Sequence, residues 1–327
     1  MSGPAPIQDD FLDPGRPRTT GITLTDRFGV PPLTALDARS GYWGERKAEW
    51  RAFGVRGEEG RSQVLLGTSL ENLRRKVFEG RYGAKKGCVL PPSLSVFDPV
   101  LCEFVYRWFC PPGGSVLDPF AGESTKGVVA AALGLRYVGV ELRPEQVAAN
   151  EERAREIGSA LSPPPRWLVG DSAQLLGVVA GAGAPFDFVW TSPPYYDLEV
   201  YEGGESDGST FGTYPEFMVW YEGIFRQAVD LLRPNRFLAV KVGDVRDQRG
   251  AYRGFVADNV KLFMRLGLAY YNSAVLLTPL ASAPLRAGPQ FSRGRKLTKA
   301  HQEVLVFYKG DPRDVKKHFP DERKGGK

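Results

Sequence analysis

Histidine and cysteine are scarce: His301 and His318 are the two histidines, and Cys88, Cys102 and Cys110 the three cysteines, among 327 residues. The cysteine count is odd and no Cys-x-x-Cys pair occurs, which argues against a zinc site or a disulfide framework. No apolar run approaches the roughly 18 residues that span a bilayer. The opening MSGPAPIQDDFLDPGRP lacks the charged-then-apolar order of a secretory signal, so a cytoplasmic protein with no membrane partner is expected. A Gly-x-Gly-x-x-Gly fingerprint is missing, and GESTKG lacks the Gly-Lys-Ser/Thr ending of a phosphate-cradling loop.

What is present is a globular composition, 42% hydrophobic and 25% charged, on a length that suits two domains or one large domain with an extension. Lysine and arginine exceed aspartate and glutamate by 43 to 38, a mild basic balance compatible with a polyanionic partner. Residues 1–38 are rich in proline, glycine and aspartate without apolar periodicity and read as an extended arm. In YWGERKAEWRAFGVRGEEGR, Trp43, Lys47 and Trp50 fall at helical spacing, and Trp43, Trp50 and Phe53 read as a patch docking a short helix on a core. Residues 1–90 are therefore assigned to an N-terminal arm and accessory helical segment, 91–310 to the main domain and 311–327 to a charged tail.

Within 91–310, apolar runs alternate with helical patterns, the signature of an α/β sheet. Seven strands are expected, at 115–117, 137–140, 166–169, 186–191, 237–242, 271–277 and 303–308. Helices are expected at 125–133, 144–157, 215–232 and 255–266. No convincing helix separates the last two strands, so a mostly parallel sheet with an antiparallel pair at one edge, joined by a basic loop, is predicted.

Three acids end successive strands. Asp118 precedes the turn Phe120, Ala121, Gly122, where the glycine lets backbone approach a ligand above the strand's carboxyl end. Glu141, followed by Leu142, lies 23 residues on, about the spacing at which a carboxylate meets ribose hydroxyls in a βαβ nucleotide fold. Asp171, followed by Ser172, closes the third strand and is placed to accept from an adenine amine. Each acid alone is more often a helix N-cap or a surface carboxylate; the register of three changes that.

The fourth strand runs into Thr191-Ser192-Pro193-Pro194-Tyr195-Tyr196. Two prolines after a buried strand stop ladder bonding and hold rigid acceptors beside an aromatic ring, an arrangement suited to a flat amine-bearing substrate. The plain alternative is a strand-ending turn with a packing tyrosine.

DPFAGESTKG, VGVEL, GDS and TSPPYYD, in this order, with the late segment LTKAHQEVLVFYKG, resemble the motifs of the S-adenosylmethionine-dependent amino methyltransferases that modify DNA at cytosine N4 or adenine N6. The resemblance implies a Rossmann-like methyltransferase fold, S-adenosylmethionine as cofactor without a metal, and double-stranded DNA as partner. It also implies that Asp118, Phe120, Ala121 and Gly122 surround the methionine part of the cofactor, Glu141 and Leu142 the ribose, and Asp171 and Ser172 the adenine. Ser192, Pro193, Pro194 and Tyr195 then hold the target base, with Tyr196 assisting on the nucleic-acid side. Serine ahead of Pro-Pro-Tyr resembles the cytosine-N4 members. No Pro-Cys dipeptide, which C5 methylation of cytosine needs, occurs.

Alternatives are an RNA guanine-N2 or protein glutamine methyltransferase, whose Pro-Pro-Tyr follows Asn or Asp, and a catalytically inactive cofactor-binding module on DNA. The cofactor motif precedes the catalytic one by 74 residues, leaving target recognition to the segment after Tyr196 or to the N-terminal arm. Arg286, Arg293, Arg295, Lys296 and Lys299 read either as a phosphate-contacting surface or as a solvated loop, and GGESDGSTFGTYPEF as a lid. The stretch from Phe28 to Arg61 resembles a segment of phage-encoded DNA-modification proteins, which implies a phage or phage-infected bacterial setting.

Overall fold

The computed structural model describes residues 29–56, 97–196, 211–247, 249–280 and 283–319. Its centre is an eight-stranded sheet. In chain order the strands are β1 (Ala35–Asp37), β2 (Ser115–Asp118), β3 (Arg136–Glu141), β4 (Arg166–Val169), β5 (Phe186–Thr191), β6 (Leu232–Val242), β7 (Ala269–Leu277) and β8 (His301–Lys309). Their spatial order is β1-β7-β8-β6-β5-β2-β3-β4, and β8 alone runs against its neighbours. This is the mostly parallel Rossmann-like methyltransferase fold.

The helices are α1 (Gly41–Phe53), α2 (Pro99–Phe109), α3 (Thr125–Ala132), α4 (Pro144–Ile157), α5 (Leu175–Val178), α6 (Tyr214–Leu231), α7 (Phe255–Arg265), α8 (Ala283–Gly294) and α9 (Val315–His318). Local signals place their starts. Asp98 accepts from Val100 and Leu101 N–H with Pro99 at the first turn of α2, and Thr213 and Glu216 form a reciprocal capping box on α6.

Every residue of β2 and β5 is buried, as suits central strands covered on both faces. One face carries Trp43, Phe104, Val128, Tyr137 and Trp190 from α1, α2, α3, β3 and β5; the other carries Phe217, Tyr221, Phe225 and Phe263 from α6 and α7. Strand β8 divides between them by the two-residue period, Val304, Val306 and Tyr308 to the first and Leu305 and Phe307 to the second.

Three features depart from the expected seven-stranded sheet. An eighth strand, β1, pairs in parallel with β7 (Leu36 against Leu276), outside the antiparallel β7–β8 pair expected at that edge. The apolar run of 99–109 is helix α2, buried along most of its length. The basic loop before β8 contains helix α8, which encloses Pro289 and buries only Ala283. Trp43, Trp50 and Phe53 do dock α1 on the core, and the Trp43 and Trp50 indole N–H groups donate to Asp98 and Glu103. Residues 1–28, Cys88 and the 203–210 part of the expected lid lie outside the described residues, whereas 214–217 begin α6.

From β2 the chain winds outward through β3 to β4, then returns to the other side of β2 as β5. The winding direction therefore reverses between β2 and β5, and a crevice opens beyond their carboxyl ends. Parallel register pairs Leu117 with Val189, which sets Asp118 level with Trp190 and brings the Pro119–Gly122 turn beside Thr191–Tyr196.

Candidate active site

On the β2 side, Asp118 is wholly buried. It accepts from the Tyr137 hydroxyl at 2.7 Å and the Phe120 N–H at 3.2 Å, and pairs with the Lys126 ammonium at 2.6 Å. Lys126 also donates to the Phe120 carbonyl at 2.8 Å, so the first turn of α3 ties down the loop it follows. Asp118 thus braces the turn through these bonds. Ser172 does the same from β4's end, its hydroxyl donating to the Pro119 carbonyl at 2.5 Å.

Gly122 adopts a left-handed backbone, φ +58°, and a side chain there would begin in open space. Its N–H donates to Glu141 at 3.0 Å, its carbonyl accepts from Asn150 at 2.8 Å, and the Ala121 N–H donates to the Val140 carbonyl. Glu141 also accepts from the Arg143 N–H at 3.1 Å, while Leu142 is half-buried at the same bend. Asp171 caps the following turn by accepting from Ala173 N–H and stays partly exposed. Phe120 packs its ring against Trp220 and Phe225 of α6. Beneath the loop, burial pushes the Glu123 carboxyl up, against the opposing hydrogen bonds from Thr125 and Phe97.

On the β5 side, the Ser192 hydroxyl donates to the Lys241 carbonyl of β6 at 3.3 Å. A hydroxyl has one proton and two lone pairs, so with the proton engaged Ser192 is set as an acceptor. Pro193 is buried and Pro194 half-buried, and their fixed φ stiffens the segment. Tyr195 stands edge-on to Phe255, and its hydroxyl accepts from the Gln302 amide at 3.0 Å. Tyr196 is 9% exposed; it packs on Tyr214 and Phe217, and the Arg253 guanidinium lies 4.8 Å over its ring. Tyr195 is as deeply placed, at 8% exposed.

The five basic residues separate. Arg286, Arg293 and Arg295 are exposed, Arg295 lying over the Phe291 ring. Lys296 reaches the loop after β6, its ammonium occupying the space where a Gly250 side chain would begin. Lys299 pairs with Glu303 at 3.0 Å, its ammonium 3.7 Å from where a Gly243 side chain would begin, and Glu303 also meets His301 at 3.2 Å.

Sequence reasoning passes over four contributors. A lysine inside the otherwise apolar α3 is the signal for Lys126. Gln302 stands unassigned in LTKAHQEVLVFYKG, and the loop from Asp244 to Gly254 is hidden in its own charge mixture. That loop is closed by an antiparallel bridge between Arg246 and Tyr252, whose side chains stack at 3.8 Å, and it carries Arg253. Phe97, with the Lys241 ammonium 4.3 Å above its ring, has no sequence signal of its own.

The strand order is that of a Rossmann-like methyltransferase fold. The chain belongs to the N6/N4 DNA methylase family, whose model matches residues 99–152 and 186–326, more than half its length. It is 48% identical over 46 residues to the Type II methyltransferase M.HinfI of Haemophilus influenzae, a stretch that is 14% of this chain and 13% of that protein. Among solved structures, it matches TrmN from Thermus thermophilus at 19% identity and a TM-score of 0.41, over 64% of this chain and about half (48%) of that one. It also matches magnesium protoporphyrin IX methyltransferase from Synechocystis PCC 6803 at 14% identity and a TM-score of 0.43, covering 75% and 92%. No described helix is long and apolar enough to cross a membrane.

Proposed function

We propose that this protein binds S-adenosylmethionine and methylates an exocyclic amine of double-stranded DNA, with cytosine N4 the preferred target and adenine N6 the second choice. The observation that carries this is the juxtaposition at the β2/β5 reversal of an open glycine turn with the Ser192–Tyr195 segment. The residues suit the cofactor. Open space lies over Gly122, and the partly exposed carboxylates of Glu141 and Asp171 on the next two strand ends match ribose hydroxyls and an adenine amine. In this reading Phe120, Ala121, Gly122, Glu141, Leu142 and Asp171 border the cofactor, while Asp118 and Ser172 position the loop. When bound, S-adenosylmethionine supplies an electrophilic methyl on a sulfonium sulfur.

The chain's own work is on the amine. Its lone pair is delocalised into the base ring, and acceptors placed on its protons draw it out of conjugation and stabilise the positive charge that develops on nitrogen. Ser192 Oγ and the Pro193 carbonyl take that role, and Tyr195 packs against the extruded base. Holding the amine in line replaces a bimolecular encounter by a positioned one. Residues 91–310 act as the methyltransferase unit.

The test is incubation of duplex DNA with the protein and labelled S-adenosylmethionine, followed by nucleoside mass spectrometry. N4-methylcytosine is the expected product. N6-methyladenine would move the target, and label found on protein or RNA alone would overturn the reading.

A further inference from the structure

The segment from Thr278 to Ala300, between β7 and β8, contains five cations, Arg286, Arg293, Arg295, Lys296 and Lys299, and no acidic residue. It also holds large apolar side chains that the fold leaves in water: Leu285 is 67% exposed and Leu297 72%. Exposed leucines are ordinary singly, but here they sit in a strip of one charge sign, which a polyanionic partner would cover.

Leu297 has a defined place. The preceding residue, Lys296, rests against Gly250 at the tip of the Asp244–Gly254 loop. Two residues further on, the Lys299 ammonium and the Tyr195 hydroxyl lie 3.7 and 3.6 Å from the point where a Gly243 side chain would begin. Leu297 therefore lies in the chain between one lysine held against the Asp244–Gly254 loop and another whose ammonium shares the neighbourhood of Gly243 with the Tyr195 hydroxyl, and its own side chain is 72% exposed.

We propose that Leu297 is the wedge that enters the base stack when the target base leaves the duplex, while Arg293 and Arg295 grip the flanking phosphates. The inference rests on the DNA-methylating function proposed above. Extruding a base costs unstacking and unpairing, and apolar side chains inserted at base steps offset that cost in proteins that distort DNA. A leucine is suited to this because it gains burial in the stack that it lacks in the free protein.

The test uses an oligonucleotide duplex carrying the site that the wild-type protein methylates, in two forms: fully paired, and with an abasic position opposite the target base so that no pairing must be broken. Leu297→Ala is expected to slow single-turnover methylation of the paired duplex at least about tenfold, and to remain within about twofold of wild type on the abasic form. Leu297→Met should keep both rates. Arg295→Ala should slow both forms alike, since phosphate contacts do not depend on pairing. Wild-type rates for Leu297→Ala on the paired duplex, or equal slowing on both forms, would overturn the wedge alone. Failure to find any duplex sequence that the wild-type protein methylates would overturn the function beneath it and the wedge with it.

Discussion

Gln302 donates a hydrogen bond of 3.0 Å to the Tyr195 hydroxyl, so the aromatic ring of the catalytic segment is oriented by the one antiparallel strand of the sheet. Tyr195→Phe and Gln302→Leu each remove this bond, and their effects should overlap. A double-mutant cycle on single-turnover methylation is expected to give a coupling of about 0.5–1.5 kcal/mol. Tyr195→Phe should lose about that much, whereas Tyr195→Ala should lose a further ~1–3 kcal/mol of base capture. Additive effects in the cycle would show that the bond does not act on the base.

Ser192 is fixed as an acceptor because its proton is committed to the Lys241 carbonyl. In the proposed reaction it acts on charge that appears only as the methyl moves, so Ser192→Ala should lower kcat and leave S-adenosylmethionine affinity nearly intact. A hydrogen bond to a charged group is worth about 1.5–3 kcal/mol, which corresponds to a loss of about 10- to 100-fold. Calorimetric titration beside single-turnover kinetics separates the two effects; a matching fall in cofactor affinity would make Ser192 a binding residue instead.

Lys126 and Asp118 form a buried pair at 2.6 Å under the glycine turn. Removing one partner strands the other's charge, and Lys126→Met is expected to destabilise the fold by about 3–5 kcal/mol. Asp118→Asn in the same chain should return part of that loss, because the stranded charge is gone. Urea unfolding of the two variants measures this, and a Lys126→Met protein of unchanged midpoint would contradict it.

The elements legible in the sequence are those that announce their own ends. Pro144 at the start of α4 and the strand-ending acids Asp118 and Glu141 sit where the sequence pattern puts them. Helix α2 escapes that pattern because Val100–Tyr106 is apolar all round except for the buried Glu103, which blurs the 3.6-residue period; Asp98-Pro99 is the remaining clue. Helix α8 reads as a loop because Gly288 and Pro289 sit in its middle, and β1 is a three-residue strand fixed by pairing with β7. Tyr196 and Lys299 illustrate a different limit. Their residue types suit DNA contact, and the packing against Phe217 and pairing with Glu303 that accompany this are tertiary facts that no local pattern carries.

Asp187 joins the starts of β2 and β5, accepting at 3.0 Å from both the Ser115 N–H and its hydroxyl, with Arg233 and Arg236 at 3.3 Å. Burial alone would raise its carboxyl above the usual 3.8, but the Ser115 bonds and the two arginines outweigh this and hold it lower. A depressed carboxylate contributes stability that is fully present above its unfolded value and is lost as pH falls through the folded one. Asp187→Asn should therefore be less stable than wild type at pH 7, with the gap narrowing as pH drops below about 4. Thermal unfolding across that range checks the sign; a gap that widens in acid would contradict it.

The exposed arginines and the paired lysine predict different salt responses. Every cation that neutralises a phosphate adds close to one unit to the slope of log affinity against log salt. Arg293 and Arg295 are exposed, so replacing both with alanine should flatten the slope of DNA binding by nearly two units. Lys299 is neutralised by Glu303 at 3.0 Å and shares the neighbourhood of Gly243 with the Tyr195 hydroxyl, so Lys299→Ala should leave the slope almost unchanged while lowering the methylation rate. Fluorescence titrations of labelled duplex at several salt concentrations distinguish the two groups. If Lys299→Ala flattened the slope as much as an arginine does, the Glu303 pair would have to open on DNA, and the basic segment would then act as one continuous phosphate surface.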